Sequence, residues 1–292
     1  MATHDADQDD HDHDLDLFQE PADYYPPTPP PTVQTYTLAS GQAITLHLVG
    51  HSPLEAHHLW NGSRVVAEHF EADPSLVRGR TVLELGAGAA LPSIVAGVLG
   101  ARRVVATDFP DPDLVENMWR NVRGCGLIED AGDGDDDDGA DGTGKGKGKG
   151  KGKGQGRVVV EGLVWGADPA RVLACLPRRD GNREEGFDVL VLADLLFRHS
   201  EHASMLRTIR QTLKKARESK AFVVFTSYRP WLQHKDLGFF DLARDEGFVV
   251  EKVLEKKMEK PLFEKDPGDE EVLKTVTGWV VRWPEGMCED GS

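Results

Sequence analysis

A chain of 292 residues with 34 Lys and Arg against 50 Asp and Glu carries a formal charge of −16 and a pI of about 5.1. Such a surface repels phosphate backbones and suits a basic protein or peptide, so no nucleic-acid partner is expected. The length allows one large domain or two small ones. The three cysteines (Cys125, Cys175, Cys288) show neither metal-ligand nor disulfide spacing, and no apolar run could span a bilayer. The expectation is a cytoplasmic monomer without a bound metal.

Residues 1–16 are rich in Asp and His with almost nothing apolar and read as a disordered tail, followed by a single domain over 17–283 and a tail at 284–292. Leu17 to Tyr25 with the polyproline-like strap Pro26 to Pro31 reads either as a lid or substrate-side clamp or as an arm packed on the core. Tyr36 to Leu48 alternates apolar and polar residues around Ser40-Gly41, which predicts a hairpin. His51 to Trp60 leads into a helix through about Phe70. Trp60 could close over a ligand or simply pack in the core.

Thr81 to Leu85 is a short apolar run interrupted by Glu84, ended by Gly86-Ala87-Gly88 and followed by an apolar helical segment to Leu99. Strand, glycine turn and helix make half a βαβ unit. Arg103 to Asp108 is the next strand, and its terminal carboxylate lies about twenty residues beyond the glycines, the spacing that binds ribose hydroxyls. A dinucleotide fold needs a third glycine to admit a pyrophosphate; here Leu91 stands at that position, with Pro92 after it. The pattern favours a nucleoside without phosphates, and S-adenosylmethionine fits that description. An ordinary tight turn with a capping aspartate is the plain alternative.

Asp111 and Pro112 form an N-cap and first-turn proline opening a helix to about Arg123. Residues 129–156, an Asp/Gly block followed by alternating Lys and Gly, read as a flexible insertion. A third strand is predicted over Arg157 to Trp165, with Trp165 able to stack on a base, and a fourth over Phe187 to Asp194. Ligands in open α/β sheets bind at the carboxyl ends of the strands, so Asp194 is either the reacting end of the site or a helix N-cap. His199 and His202 follow it. A helix is predicted over Glu201 to Glu218, a strand over Ala221 to Ser227 and a helix over Leu232 to Glu246. Closing strands are predicted at Phe248 to Val253 and Val276 to Trp283, with a charged loop between them. The sum is a doubly wound α/β sheet.

With these residues set out, the chain resembles the seven-β-strand class I methyltransferases. More narrowly, it resembles the fungal protein N-terminal and lysine methyltransferases of translation elongation factor 1-alpha, a family earlier described as nicotinamide N-methyltransferases. The resemblance runs from about Leu17 to Trp283, with 129–156 as the departure. It rests on Leu17-Phe-Gln-Glu-Pro21, Leu48-Val-Gly-His-Ser-Pro-Leu54, Leu59-Trp-Asn61 and Leu83-Glu-Leu-Gly-Ala-Gly-Ala-Ala-Leu-Pro-Ser93. It rests also on Thr107-Asp-Phe-Pro-Asp-Pro-Asp-Leu114, Asp194-Leu-Leu-Phe197 with His199 and His202, and Lys260-Pro-Leu-Phe263. The resemblance implies a Rossmann-like sheet of seven mostly parallel strands in the order 3-2-1-4-5-7-6, the last strand antiparallel. It implies S-adenosylmethionine as cofactor, held by Trp60, Gly86, Ala87, Gly88, Asp108, Trp165 and Ala193, and the elongation factor as protein substrate. Asp194 matches the acid of a substrate-side pattern, acid and aromatic three residues apart, in which Phe197 lacks the hydroxyl of a Tyr. His199 or His202 could accept a proton. A small-molecule N-methyltransferase and a non-catalytic cofactor-binding protein are the competing readings.

Overall fold

The structure, a computed structural model, describes residues 29–128, 157–179, 182–263, 265 and 267–288. The expected tail at 1–16, the arm, the start of the strap and the insertion at 129–156 lie outside them. The hairpin is β1 (Thr32–Thr37) and β2 (Ala43–Leu48). There follow α1 (Asn61–Ala72), β3 (Thr81–Leu85), α2 (Leu91–Val98), β4 (Arg103–Asp108), α3 (Pro112–Gly124), β5 (Val158–Gly162) and α4 (Ala170–Leu173). A two-residue ribbon, β6 (Arg178–Arg179) and β7 (Asn182–Arg183), precedes β8 (Val189–Ala193), α5 (His202–Thr212), β9 (Lys220–Phe225) and α6 (Gln233–Asp245). The chain closes with β10 (Val249–Lys257), α7 (Glu270–Leu273), β11 (Thr275–Arg282) and a single 3-10 turn at Glu285–Met287, where only a tail is expected.

The large sheet has the order β5-β4-β3-β8-β9-β11-β10. Its first five members are parallel, and β11 runs antiparallel to both of its neighbours. Counted along the chain this is 3-2-1-4-5-7-6 with the seventh strand reversed, as the resemblance implies. Alternation along the strands sorts the core into two layers. Val82, Val104, Val189, Val191 and Val224 face α1, α2 and the hairpin, whereas Leu83, Leu85, Leu190, Leu192 and Val223 face α5 and α6. Asn121, fully buried on α3, docks the hairpin: its Oδ1 accepts from His47 N at 2.8 Å, and its Nδ2 donates to the carbonyls of His47 (2.9 Å) and Ala89 (3.1 Å).

The hairpin starts four residues earlier than expected, at Thr32, and three further boundaries differ for visible reasons. The third strand stops at Gly162 rather than Trp165, because the Pro110 ring packs on Gly162 and the chain turns through Gly166 at φ +79°. The helix expected to reach Glu218 ends at Thr212. There Thr212 O accepts from Phe187 N (2.8 Å), Lys214 N donates to Phe187 O (3.0 Å), and Leu213 O accepts from Trp283 Nε1 (3.2 Å). Segment 212–214 therefore serves the start of β8 instead of another helical turn. The strand expected over Phe248 to Val253 runs on to Lys257, paired with β11 through a bulge at Lys252–Leu254.

Candidate functional site

Strand order reverses between β3 and β8: β4 follows β3 on one side, while β8 takes the other. Crevices at such switch points, at the carboxyl ends of the strands, are where open α/β sheets bind ligands. A cavity of about 270 Å³ lies there, near the lower end of the size range for small-ligand sites. All seven residues expected to contact the cofactor line it, as do Asp194 and Glu84.

The glycine turn is built for close approach. Gly86 (φ +59°) and Gly88 (φ +52°) are both left-handed. A Cβ on Gly86 would lie 2.6 Å from Leu195 Cδ2, whereas one on Gly88, which lines the cavity, would meet nothing nearer than Ala56 O at 3.9 Å. The non-glycine residues with positive φ among those described are Glu55, Ala90 and Asp194. Glu55 and Asp194 line the cavity and Ala90 directly follows Ala89, which also does. Left-handed backbone at non-glycine residues costs energy and gathers at functional sites.

The N-terminus of α2, where a Rossmann fold holds pyrophosphate, is closed here. Pro92 has no N–H, and Ser93 donates both its amide (2.9 Å) and its hydroxyl (2.5 Å) to Glu84 Oε2. The chain thus fills its own anion site with a carboxyl group.

Three buried carboxyl groups converge on the cavity. Burial pushes Glu84 up to about 8, against the opposing Ser93 hydrogen bonds. Asp108 accepts from Gly88 N (2.8 Å) and Phe109 N (2.7 Å), and burial raises it despite these bonds. Asp194 is 3 % exposed; its Oδ2 accepts from Gly62 N at 2.5 Å, its Oδ1 from Thr226 N at 2.8 Å, and burial pushes it up to about 7. Asp194 is therefore a cap, though not of the helix after its own strand. It caps α1, which has no side-chain cap of its own, and ties that helix to the exit of β9. Gly62 is required at this point, since a Cβ would lie 2.6 Å from Asp194 Oδ2.

Trp60 stands on the rim. Its Nε1 donates to Glu55 O (3.0 Å), and its ring lies 6.0 Å from Phe197 (stacked), 4.9 Å from Tyr228 and 5.8 Å from Phe263. Trp165 lines the cavity beside Gly86. Neither histidine lines this cavity, but His199 lines the open depression beside it. His199 pairs with Asp236 at 2.7 Å beside the cavity, and His202, buried, bonds Leu196 O at 2.8 Å through Nε2. Sequence reasoning singled out neither Ser93, Gly62, Asn121 nor Tyr228. Of these only the Glu84–Ser93 pair had a local signal, an acid and a hydroxyl flanking the glycine turn.

A cavity shaped by glycines, lined with buried acids and closed to phosphate fits a nucleoside that carries positive charge. A sheet of this order with its seventh strand reversed is that of the class I methyltransferases, and the chain is an enzyme of that class. No protein-family model matches it. It is 59% identical over 269 residues to the protein N-terminal and lysine N-methyltransferase efm7 of Neurospora crassa, covering 92% of this chain and 88% of that protein. The proteins of the same name from Gibberella zeae (53% over 274 residues; 94% and 96% covered) and Schizosaccharomyces pombe (36% over 272; 92% and 95%) are also similar. The chain belongs to the family of protein N-terminal and lysine N-methyltransferases. Among solved structures, a T. thermophilus 16S rRNA N2 G1207 methyltransferase in complex with AdoMet and guanosine superposes loosely, with a TM-score of 0.44 and 15% identity over 89% of this chain and 52% of that one.

Proposed function

We propose that this chain transfers the methyl group of S-adenosylmethionine to the N-terminal α-amine and the adjacent lysine of translation elongation factor 1-alpha. The observation that carries the cofactor assignment is the cavity itself: Glu84, Asp108 and Asp194 are buried together around it, and the neighbouring helix N-terminus is already occupied by Glu84. Buried carboxyl groups favour a cation that restores their ionised form. When bound, S-adenosylmethionine supplies a methyl group activated by a sulfonium. Asp108 would hold the ribose, Gly86 to Gly88 leave room for the backbone of the ligand, and Trp60, Trp165 and Ala193 would enclose it. The relatives' names support a protein amine as acceptor.

The contribution of the chain's own residues is alignment and exclusion of water. The acceptor must arrive neutral. A free α-amine, with a pKa of about 8, loses its proton far more readily than a lysine at about 10.4. Asp194, which lines the cavity, would orient the amine, but a nearby ionised carboxylate favours ammonium and so opposes deprotonation. His199, held by Asp236 through Nε2, would take a proton on its other ring nitrogen. A cytoplasmic monomer with no metal and no nucleic acid goes with this reading; among the described residues no helix is long and apolar enough to cross a membrane.

Incubation of the purified chain with labelled S-adenosylmethionine and elongation factor 1-alpha tests the proposal, with the modified residues read by mass spectrometry. Label at the N-terminus and the next lysine is expected. Label confined to small amines would mean a small-molecule methyltransferase, and no label at all a non-catalytic binder. Tight calorimetric binding of NAD in place of S-adenosylmethionine would overturn the cofactor assignment.

A further inference from the structure

Beside the cavity lies a second, more open depression of about 570 Å³, which shares Glu55, Trp60, Phe197 and Arg198 with it and adds Tyr228. A group resting there lies next to the cavity without occupying it. Trp60, Phe197 and Tyr228 form its aromatic wall, with Glu55, Arg198, His199 and Arg229 around them. Trp60 stacks on Phe197 at 6.0 Å and meets Tyr228 edge-on at 4.9 Å, faces on which an alkylammonium is held by cation–π attraction.

Tyr228 brings something Phe197 lacks. Its hydroxyl is buried beside Thr226 and the backbone of Asn61, yet makes no well-formed hydrogen bond with either. Thr226 Oγ1, Ser227 Oγ and Asn61 Nδ2 are likewise buried without a partner. Buried polar atoms are nearly always paired, and each orphan costs about 1–3 kcal/mol. Here the orphans fall on three consecutive residues at the exit of β9 and on the first residue of α1, the two segments that Asp194 joins through Thr226 N and Gly62 N. Arg229 donates to Phe197 O at 2.5 Å and fixes the turn carrying Tyr228 against the turn carrying Phe197.

We infer that this depression is the acceptor subsite, and that Tyr228 is its amine-binding residue, resting on the reading of the chain as a protein amine methyltransferase. The phenol oxygen accepts an N–H of the incoming amine while the rings of Trp60 and Phe197 hold its alkyl stem, leaving the nitrogen lone pair free to face the methyl group. Burial, and then the charge of Asp194, raises the phenol well above its ordinary range, so it stays protonated at working pH. It binds the amine and does not act as a base.

The test compares Tyr228→Phe and Tyr228→Ala with the parent chain, using elongation factor 1-alpha as acceptor and calorimetry for S-adenosylmethionine. Because the hydroxyl has no partner, Tyr228→Phe keeps the ring and folds as the parent does, to be checked by its melting temperature. Expected are a rise of at least fivefold in acceptor KM for Tyr228→Phe, at least twentyfold for Tyr228→Ala, and cofactor Kd within twofold of the parent in both. An acceptor KM within twofold of the parent in Tyr228→Phe overturns the inference, as does a loss of cofactor affinity matching the loss of activity. If the parent chain itself methylates no protein amine, the functional reading fails first and the subsite assignment falls with it.

Discussion

Asp194→Asn separates the structural work of that carboxyl from its charge. Burial raises it from 3.8 to about 7, so between those values the native chain holds a proton that the unfolded chain has lost. Stability therefore falls as pH rises from about 4, and the full penalty is present above about pH 7. Three units at about 1.36 kcal/mol each give roughly 4 kcal/mol over the whole range, and about 2.3 kcal/mol of that lies between pH 5 and 7. For a domain of this size that is a relative shift in Tm of roughly 5–10 °C. The amide removes this titration. It also keeps one acceptor where Gly62 N and Thr226 N need two, which adds an offset of about 1–3 kcal/mol that does not change with pH. The assay is urea or thermal unfolding of the ligand-free parent and Asp194→Asn chains at pH 5, 6, 7 and 8. The difference between them is read because Glu84 titrates in both and cancels. The parent's advantage should shrink by about 2.3 kcal/mol from pH 5 to 7 and then level off. Parallel curves would refute the reasoning, since they would mean the carboxyl stays ionised at no cost.

Glu84, pushed up to about 8, is mostly protonated at pH 7, and a cationic ligand in the cavity should drive that proton off. Calorimetry of S-adenosylmethionine at pH 7 in buffers of differing ionisation enthalpy should show net proton release, reduced for the uncharged thioether product and largely lost in Glu84→Gln; heats independent of buffer would count against it. Gly86→Ala and Gly88→Ala carry the same left-handed backbone cost, about 1–2 kcal/mol, but only the first meets Leu195, at 2.6 Å. Gly86→Ala should therefore melt lower, while Gly88→Ala should lose more cofactor affinity for each degree of Tm lost; equal ratios in the two would contradict the assignment of the Gly88 face to the ligand. His199→Asn breaks the 2.7 Å contact to Asp236 and should lower Tm with kcat within about threefold of the parent. A hundredfold fall in kcat at unchanged Tm would place His199 in the chemistry.

What could be read from the sequence divides according to the reach of each interaction. The run from Thr81 to Asp108 announced its strand, turn, helix and strand because each signal lies within a few residues of its effect, as does the Asp111 cap with its bonds to Asp113 N and Leu114 N. Asp194 could be picked out as the acid at a strand end, but its duty could not, because Gly62 N lies 132 residues away and Thr226 N 32. The same blindness ended α5 in the wrong place. Nothing local to Thr212 or Leu213 forbids helix, and only Phe187 and Trp283, folded against them, decide the matter. The extension of β10 was hidden by its composition, since Glu255, Lys256 and Lys257 look like loop until β11 offers them a ladder. Tyr228 is the sharpest case. In sequence it is one more residue in a turn after a strand, and its meaning comes from a tryptophan 168 positions earlier, an acid 34 positions earlier and a hydroxyl that no neighbour satisfies. Apolar periodicity specifies the frame of such an enzyme, whereas the acceptor side is assembled from turns that carry no period, so it becomes readable only when the turns after β8 and β9 and the start of α1 are brought together.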